Sequence, residues 1–311
     1  MEGIVIKSTG SWYSVRLDDG DQIEARMKGK FRLKGIRTTN PIAVGDKVTL
    51  KKEEDGTAVI YEIGKRKNYI IRKSINLSKK THILAANIDQ AILIVTISQP
   101  KTYTAFIDRF LVTAEAYHIP TVIIFNKIDI YSDEEKKELS SMKKSYEKIG
   151  YQCLEVSATE KTNLEKVIEM MKNKVSMISG HSGVGKTTLL NIIEPGLNLK
   201  TSEISETHKV GKHTTTFAEM FELSFGGYII DTPGIKAFGL IEFKKEELSH
   251  YFLEMRERLD NCYFNNCLHI NEPRCAIKEA LEKGEIPEFR YLNYVGMYND
   301  DEDENYRGFG Y

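Results

Sequence analysis

The segment GHSGVGKTTL, Gly180 to Leu189, lies between the apolar run VSMIS and the helical stretch TTLLNII. It fits G-x-x-x-x-G-K-[ST], a strand-loop-helix signature whose glycines let the backbone wrap closely around an anion. The loop residues Gly180, Ser182, Gly183, Val184, Gly185, Lys186, Thr187 and Thr188 then converge on phosphate oxygens, and the following helix adds its positive N-terminal end. Lys186 reaches the β and γ phosphates, and the Thr187 hydroxyl holds Mg²⁺. Such a loop belongs at the end of a sheet strand, yet here it begins at position 180 of 311.

A second signature names the base. NKID, Asn126 to Asp129, ends the apolar strand TVIIF. The Asp129 carboxylate can accept from both N–H donors on the guanine Watson–Crick edge, whereas adenine would leave that acceptor unpaired. Asn126 would tie base and loop together, and the Lys127 stem would lie along the ring. EVSAT follows at another strand end, so the backbone of Ser157 and Ala158 can read guanine O6; an ordinary turn is the plain alternative. DTPG closes the strand GYIID, with Asp231 holding the Mg²⁺ shell through water and the Gly234 N–H sensing the γ-phosphate. KHTTTF, between phosphate loop and DTPG, offers a threonine for Mg²⁺ and γ-phosphate: Thr215 by comparison with GTPases carrying PGxT here, or Thr214.

Many GTPases follow DTPG with a Gln that orients the attacking water, but here the next residue is Ile235. His213, beside the threonines, is the candidate to replace it, completing a catalytic set with Lys186 and Thr215; its plain alternative is a solvated loop histidine. Low intrinsic turnover and an activating partner follow as expectations.

All five elements occur in the order base reader, O6 loop, phosphate loop, Thr segment, DTPG. This is a rotation of the usual order, which joining the old chain ends and cutting after DTPG would produce while keeping the same sheet. The segment after DTPG is then tied to whatever follows, so γ-phosphate loss could reposition a C-terminal module.

Flanking this core, residues 1 to 70 alternate short β-like runs with the turns DDGD and EDG, which suits a five-stranded barrel of the OB type, although an SH3-like barrel would read similarly. Trp12, Tyr13 and Phe31 are either barrel core or stacking surfaces for RNA bases. Gly64 to Lys80 reads as a basic linker. Residues 1 to 80 carry 18 Lys and Arg against 10 Asp and Glu, while 241 to 311 carry 9 against 16, so only the N-terminal part suits nucleic-acid phosphate. From 71 to 242, apolar strands alternate with helices, as in a parallel sheet covered on both faces.

Residues 243 to 311 read as a mainly helical module with an acidic tail. Cys262, Cys267, His269 and Cys275 form C-x4-C-x-H-x5-C, a ligand set for one closed, structural Zn²⁺ site. The fourth cysteine, Cys153, reads as strand core. No apolar run is long enough for a membrane helix and no signal pattern opens the chain, so a cytoplasmic monomer is expected.

Together VGDKV, NKID, SAT, GHSGVGKTTL, KHTTT, DTPG and the cysteine pattern resemble the ribosome small-subunit-dependent GTPase family, over nearly the whole chain. His181 in the phosphate loop is a position at which relatives vary. The resemblance implies an OB-fold, a circularly permuted G domain and a zinc-binding domain. It also implies GTP, GDP and Mg²⁺ as ligands, binding to the small ribosomal subunit and its 16S rRNA during late maturation, and hydrolysis stimulated by that subunit. The competing reading is a nucleotide-switched RNA-binding or signalling module with negligible hydrolysis, which Ile235 would permit. A metabolic kinase is disfavoured by NKID.

Overall fold

The computed structural model describes residues 1–27, 41–73, 81–197, 218–231 and 244–299. Strands β1 (Glu2–Ser8), β2 (Trp12–Leu17), β3 (Gln22–Met27), β4 (Lys47–Lys52) and β5 (Ala58–Ile63) run in the spatial order β1-β2-β3-β5-β4, and β4 pairs back onto β1. Closure with β3 and β5 parallel and the other pairs antiparallel is the OB arrangement, which removes the free edges. Alternation points Val5, Tyr13, Val15, Ala25, Val48, Leu50, Ala58 and Ile60 inward. Gly20 and Gly56 supply the left-handed turn positions of DDGD and EDG, at φ 94° and 85°. Tyr13 is therefore barrel core and not a stacking surface, whereas Trp12 faces out; Phe31 lies outside the described residues.

The described part of the expected linker, residues 64–73, is not a linker, and the remainder, 74–80, lies outside the described residues. Strand β6 (Tyr69–Lys73) pairs antiparallel with β7 (Thr81–Ala86), and Ile70 is buried beside Ala85 and Ile88. The basic charges there mask a five-residue strand with a bulge. This region welds barrel to sheet: Arg66 grips Asp46 through Nε and Nη2, both at 2.6 Å, while Val44 bridges to Ala85. Asn68 is buried between the Ile88 backbone and the His118 carbonyl.

The α/β layer contains β8 (Gln90–Val95), β9 (Thr121–Phe125), β10 (Gln152–Glu155), β11 (Val175–Ser179), β12 (Glu219–Glu222) and β13 (Tyr228–Asp231). Parallel neighbours run β10-β9-β8-β11-β13, and β12 adds an antiparallel edge that meets β1 at Lys7 opposite Glu219. Helices α1 (Thr104–Ala116), α2 (Asp133–Ile149), α3 (Leu164–Met171) and α4 (Lys186–Ile193) belong to this layer. Strand alternation splits its core in two: Leu93, Val95, Ile123 and Phe125 pack on one face, and Ile92, Ile94, Val122 and Ile124 on the other. Each such apolar side chain contributes about 1.5–3 kcal/mol by burial. Cys153 is buried in β10, as expected of a core residue. At α2, Ser132 and Glu135 exchange a reciprocal capping box, and Gly150 closes the helix in the left-handed region.

The C-terminal part comprises a 3-10 turn (Lys245–Tyr251), α5 (Leu253–Arg256), α6 (Ala276–Glu282) and α7 (Glu288–Asn299). Its apolar residues Leu248, Phe252, Met255, Ile277 and Tyr294 share a core with Val112 of α1. A module this small completes its core by borrowing a helix of the α/β layer. Among the described residues no helix is long and apolar enough to cross a membrane.

Candidate functional site

The ends of β9, β10 and β11 bring the predicted loops together. Gly180, Gly183 and Gly185 all have positive φ, at 146°, 84° and 93°. At two of them a side chain would collide: a Cβ on Gly180 would come 2.3 Å from the Ile94 carbonyl, and one on Gly185 would come 2.5 Å from Asn126 Nδ2. The loop is thus pressed against its neighbours on one side, leaving its amides to turn toward a ligand on the other.

Asn126 is the junction. Its Nδ2 donates to the Val184 carbonyl at 2.8 Å, and its Oδ1 accepts from the Ala158 N–H at 3.3 Å. One buried amide therefore ties base-reading loop, O6 loop and phosphate loop, although 58 residues separate it from Val184. Lys127 takes the left-handed region and donates through Nζ to the Gln99 carbonyl at 2.6 Å. The Ser157 hydroxyl, with smaller help from Thr159 and the Lys127 charge, holds the exposed Asp129 carboxyl below the usual carboxylate range. Thr159 donates to Asp129 Oδ2 at 3.2 Å, so the carboxylate is ionised and aimed before any base arrives. The Ser157 carbonyl accepts from the Thr162 N–H at 2.9 Å, whereas the Ser157 and Ala158 N–H groups make only long bonds, each of 3.3 Å, to the Thr162 carbonyl and Asn126 Oδ1.

Lys186 Nζ donates to the Gly180 and His181 carbonyls at 2.8 and 2.6 Å. Burial lowers its ammonium from the ordinary value to about 8. A half-buried ammonium resting on the carbonyls of its own loop fits an anion better than it fits the free loop, since phosphate oxygens would restore the charge balance. The Thr187 hydroxyl-bearing side chain is buried at the first turn of α4, where a Mg²⁺ ligand must sit. The His181 ring stacks on Phe106 with centroids 3.7 Å apart, and burial with the Lys186 charge keeps it neutral. Asp231 ends β13, which is separated from the base-reading strand β9 by β11 and β8. His213, Thr214, Thr215, Gly234 and Ile235 lie outside the described residues.

Two residues of this site escape sequence reasoning. Tyr131 accepts from the Ile97 N–H at 2.9 Å and donates to the Asn126 carbonyl, bracing the base-reading loop from behind. Burial pushes its phenol up to about 12, which keeps it a donor. Thr159, the last residue of SAT, carried no signal beyond its place in that word.

The second site gathers Cys262, Cys267, His269 and Cys275, whose ligand atoms all lie within 4.8 Å of one another. His269 Nδ1 is 3.6 Å from Cys262 Sγ and 3.4 Å from Cys275 Sγ. A tetrahedral zinc with bonds of about 2.3 Å to sulfur and 2.0 Å to nitrogen places its ligand atoms roughly 3.5 Å apart, so the set fits. The Glu272 carboxylate caps the turn, accepting from the N–H groups of Leu268, Ile270 and Asn271 at 2.8, 2.9 and 3.1 Å. Tyr291 and Tyr294 donate to the His269 and Leu268 carbonyls at 2.8 and 2.7 Å, fixing the ligand loop to α7.

Comparison with known proteins agrees with this geometry. The RsgA GTPase family model matches residues 63–241 and the RsgA N-terminal domain model matches residues 2–60. A protein of Christiangramia forsetii named small ribosomal subunit biogenesis GTPase RsgA is 56% identical over 99% of this chain and 98% of its own. A protein of the same name from Flavobacterium johnsoniae is 57% identical over 99% and 95%. Among solved structures, YjeQ from Thermotoga maritima superposes with a TM-score of 0.78 at 38% identity over 96% of both chains. YloQ, described as a circularly permuted GTPase, gives 0.75 at 32% identity over 96% and 93%. With its rotated motif order, its closed N-terminal barrel and these matches along its length, the chain belongs to the RsgA GTPase family and is a GTP-hydrolysing enzyme.

Proposed function

We propose that this chain hydrolyses GTP to GDP and phosphate on the small ribosomal subunit, during late maturation of that particle, and that the subunit accelerates the reaction. The carrying observation is the Asn126 junction, which joins the guanine-reading Asp129 loop to the phosphate loop. Names of relatives at 56% and 57% identity support the choice of particle. Asp129 takes the guanine N–H donors, the Ala158 N–H exchanges its long contact to Asn126 for guanine O6, and Lys127 lies along the ring. The amides from Gly180 to Thr188 and the Lys186 ammonium cradle the phosphates. Thr187, Thr215 and, through water, Asp231 would hold Mg²⁺, which would supply charge neutralisation to the phosphates.

Water positioning falls to His213, because Ile235 has no polar group to offer. Gly234 reports the γ-phosphate to the segment that leads into the C-terminal module. We divide the chain at 1–70, 71–242 and 243–311 into an OB-fold, the permuted G domain and a zinc-binding domain. Its partner is 16S rRNA within the subunit, and it works there as a cytoplasmic monomer. Zinc, held by the three thiolates and His269, is structural, since four protein ligands leave no position for substrate.

The deciding experiment is steady-state GTP hydrolysis with and without purified small subunits, with Lys186→Ala as control. Large stimulation that vanishes in the control supports the reading, and His213→Ala should then abolish stimulation while leaving nucleotide affinity intact. Subunits that bind yet leave a slow rate unchanged would transfer the case to a nucleotide-switched RNA-binding module.

A further inference from the structure

The turn that leaves β8 lies outside the five signatures of the nucleotide site, yet it touches both the base-reading loop and the phosphate loop. It runs from Thr96 to Thr102, TISQPKT, and leads into α1. Thr96 and Thr102 are buried, and bonds between them draw the turn shut. The Thr102 N–H donates to the Thr96 carbonyl at 2.9 Å, and the Thr96 N–H donates to Thr102 Oγ1 at 3.1 Å. Thr96 Oγ1 in turn donates to the Pro100 carbonyl at 2.5 Å. A β-branched threonine has few rotamers to lose, so both hydroxyls hold their places at small entropic cost.

The clasp presents the Gln99 carbonyl, one residue before Pro100, and Lys127 Nζ donates to it at 2.6 Å. Both ends of the lysine are then fixed, its backbone in the left-handed region at φ 65° and its ammonium on Gln99. Gln99 is exposed, so its carbonyl competes with water for the ammonium, and ordering a lysine costs rotamer freedom. Such a bond persists where the acceptor is already in place. On its other side the turn lies against the phosphate loop, with Pro100 Cδ 3.3 Å from the Cβ position of Gly183. A third tie, from the Ile97 N–H to Tyr131 Oη at 2.9 Å, leads toward the loop that holds Asp129.

We propose that Thr96 and Thr102 are positioning residues for nucleotide binding. By closing the turn they fix the Gln99 carbonyl, which holds the Lys127 stem as a rigid shelf for the face of the purine. The proposal rests on the reading that Lys127 lies along the guanine ring. A shelf meets the ring face and not the exocyclic amine, so it strengthens guanine and hypoxanthine nucleotides alike, whereas Asp129 tells them apart by the 2-amino group. Affinity and selectivity are thereby set by different residues of one site.

Affinities of the full-length protein for GDP and for inosine diphosphate, which lacks the 2-amino group, are measured by calorimetric titration. Thr96→Val and Thr102→Val should each weaken both nucleotides about five- to tenfold, the order of one net hydrogen bond, with their ratio unchanged. Thr96→Ser and Thr102→Ser should restore wild-type binding. Thr96→Val leaves the Thr96 and Thr102 N–H groups paired and frees only an exposed carbonyl that water can take, so it carries the test should Thr102→Val fail to fold. In a Lys127→Met background, itself weakened, adding Thr96→Val should cost less than about twofold, because the shelf has already lost its anchor. A full five- to tenfold loss in that background, a changed ratio of the two nucleotides, or a folded Thr96→Val variant with wild-type affinity each overturns the positioning role. If Lys127→Met binds GDP as tightly as wild type, the reading of Lys127 falls and takes the shelf with it. Wild-type protein that binds neither nucleotide would sink the guanine-nucleotide reading itself.

Discussion

Arg290 of α7 places Nη1 2.7 Å from Oδ1 of Asp108 in α1, and both side chains are fully buried. Glu254 of α5 takes the other edge of the guanidinium at 2.6 and 3.0 Å, while Tyr146 and Asn293 donate to Asp108. The Phe252 ring lies 4.5 Å from the guanidinium carbon. One cation thus fastens the module that carries the cysteine cluster to the helix that also carries Phe106, the ring under the phosphate loop's His181.

Arg290→Ala leaves two buried carboxylates facing each other without their cation. Breaking a buried pair in this way costs about 3–5 kcal/mol. Urea unfolding of the variant should show at least that loss or a separate early transition of the C-terminal helices. The Asp108→Asn, Arg290→Met double variant leaves one buried carboxylate, Glu254, without its cation instead of two and should recover part of it. A loss below about 1 kcal/mol for Arg290→Ala would mean the cluster is not the fastening.

Gly185→Ala isolates the contact between base loop and phosphate loop, because the added methyl meets Asn126 Nδ2 at 2.5 Å. The positive φ of 93° at this position strains any other residue as well. Affinity for a fluorescent GDP analogue should fall at least tenfold, about 1.4 kcal/mol, with an unchanged far-ultraviolet circular dichroism spectrum. Retained affinity would show that the loops can separate without loss of the nucleotide site.

How much of this was legible in sequence depends on how far apart the partners lie. The phosphate loop, NKID and the cysteine pattern are local words whose chemistry sets their spacing, and each falls at the strand end or turn its chemistry needs. The Arg290 to Asp108 pair spans 182 residues, and neither residue sits in a telling word. The β6–β7 pair escapes a reading of the sequence because its strands are short, bulged and bordered by lysines and arginines, so net charge hides the pattern that buries Ile70. Trp12 and Tyr13 are adjacent in sequence, and only the strand's facing tells which is core.

The buried Lys186 makes nucleotide binding depend on pH. In the free protein its ammonium titrates at about 8. Phosphate alongside would raise that value, so binding above pH 8 takes up a proton and affinity falls as pH rises through that point. The sign reverses for the folding of the free protein, where a lowered lysine value costs stability below pH 8 and the cost is relieved toward pH 10.5. Calorimetric titration with GDP in two buffers of different ionisation enthalpy checks this. Heats should agree at pH 7 and diverge at pH 8.5, and equal heats at both would refute the coupling.

Metal removal should separate the zinc module from the nucleotide site. The ligand loop is held to α7 by Tyr291 and Tyr294, and α7 carries Arg290, so losing the ion loosens the helix that supplies the buried cation. Displacing the thiolates with a mercurial should release one equivalent of zinc. Proteolysis should then cut first between Cys262 and Cys275, while the GDP analogue stays bound, because the Asn126 junction contains no residue beyond Val184. Structural zinc and folding are one equilibrium in a module this small, so Cys267→Ser should mimic the metal-free protein. A metal-free protein with wild-type protease resistance between 244 and 299 would show that the shared core with Val112 suffices without the ion.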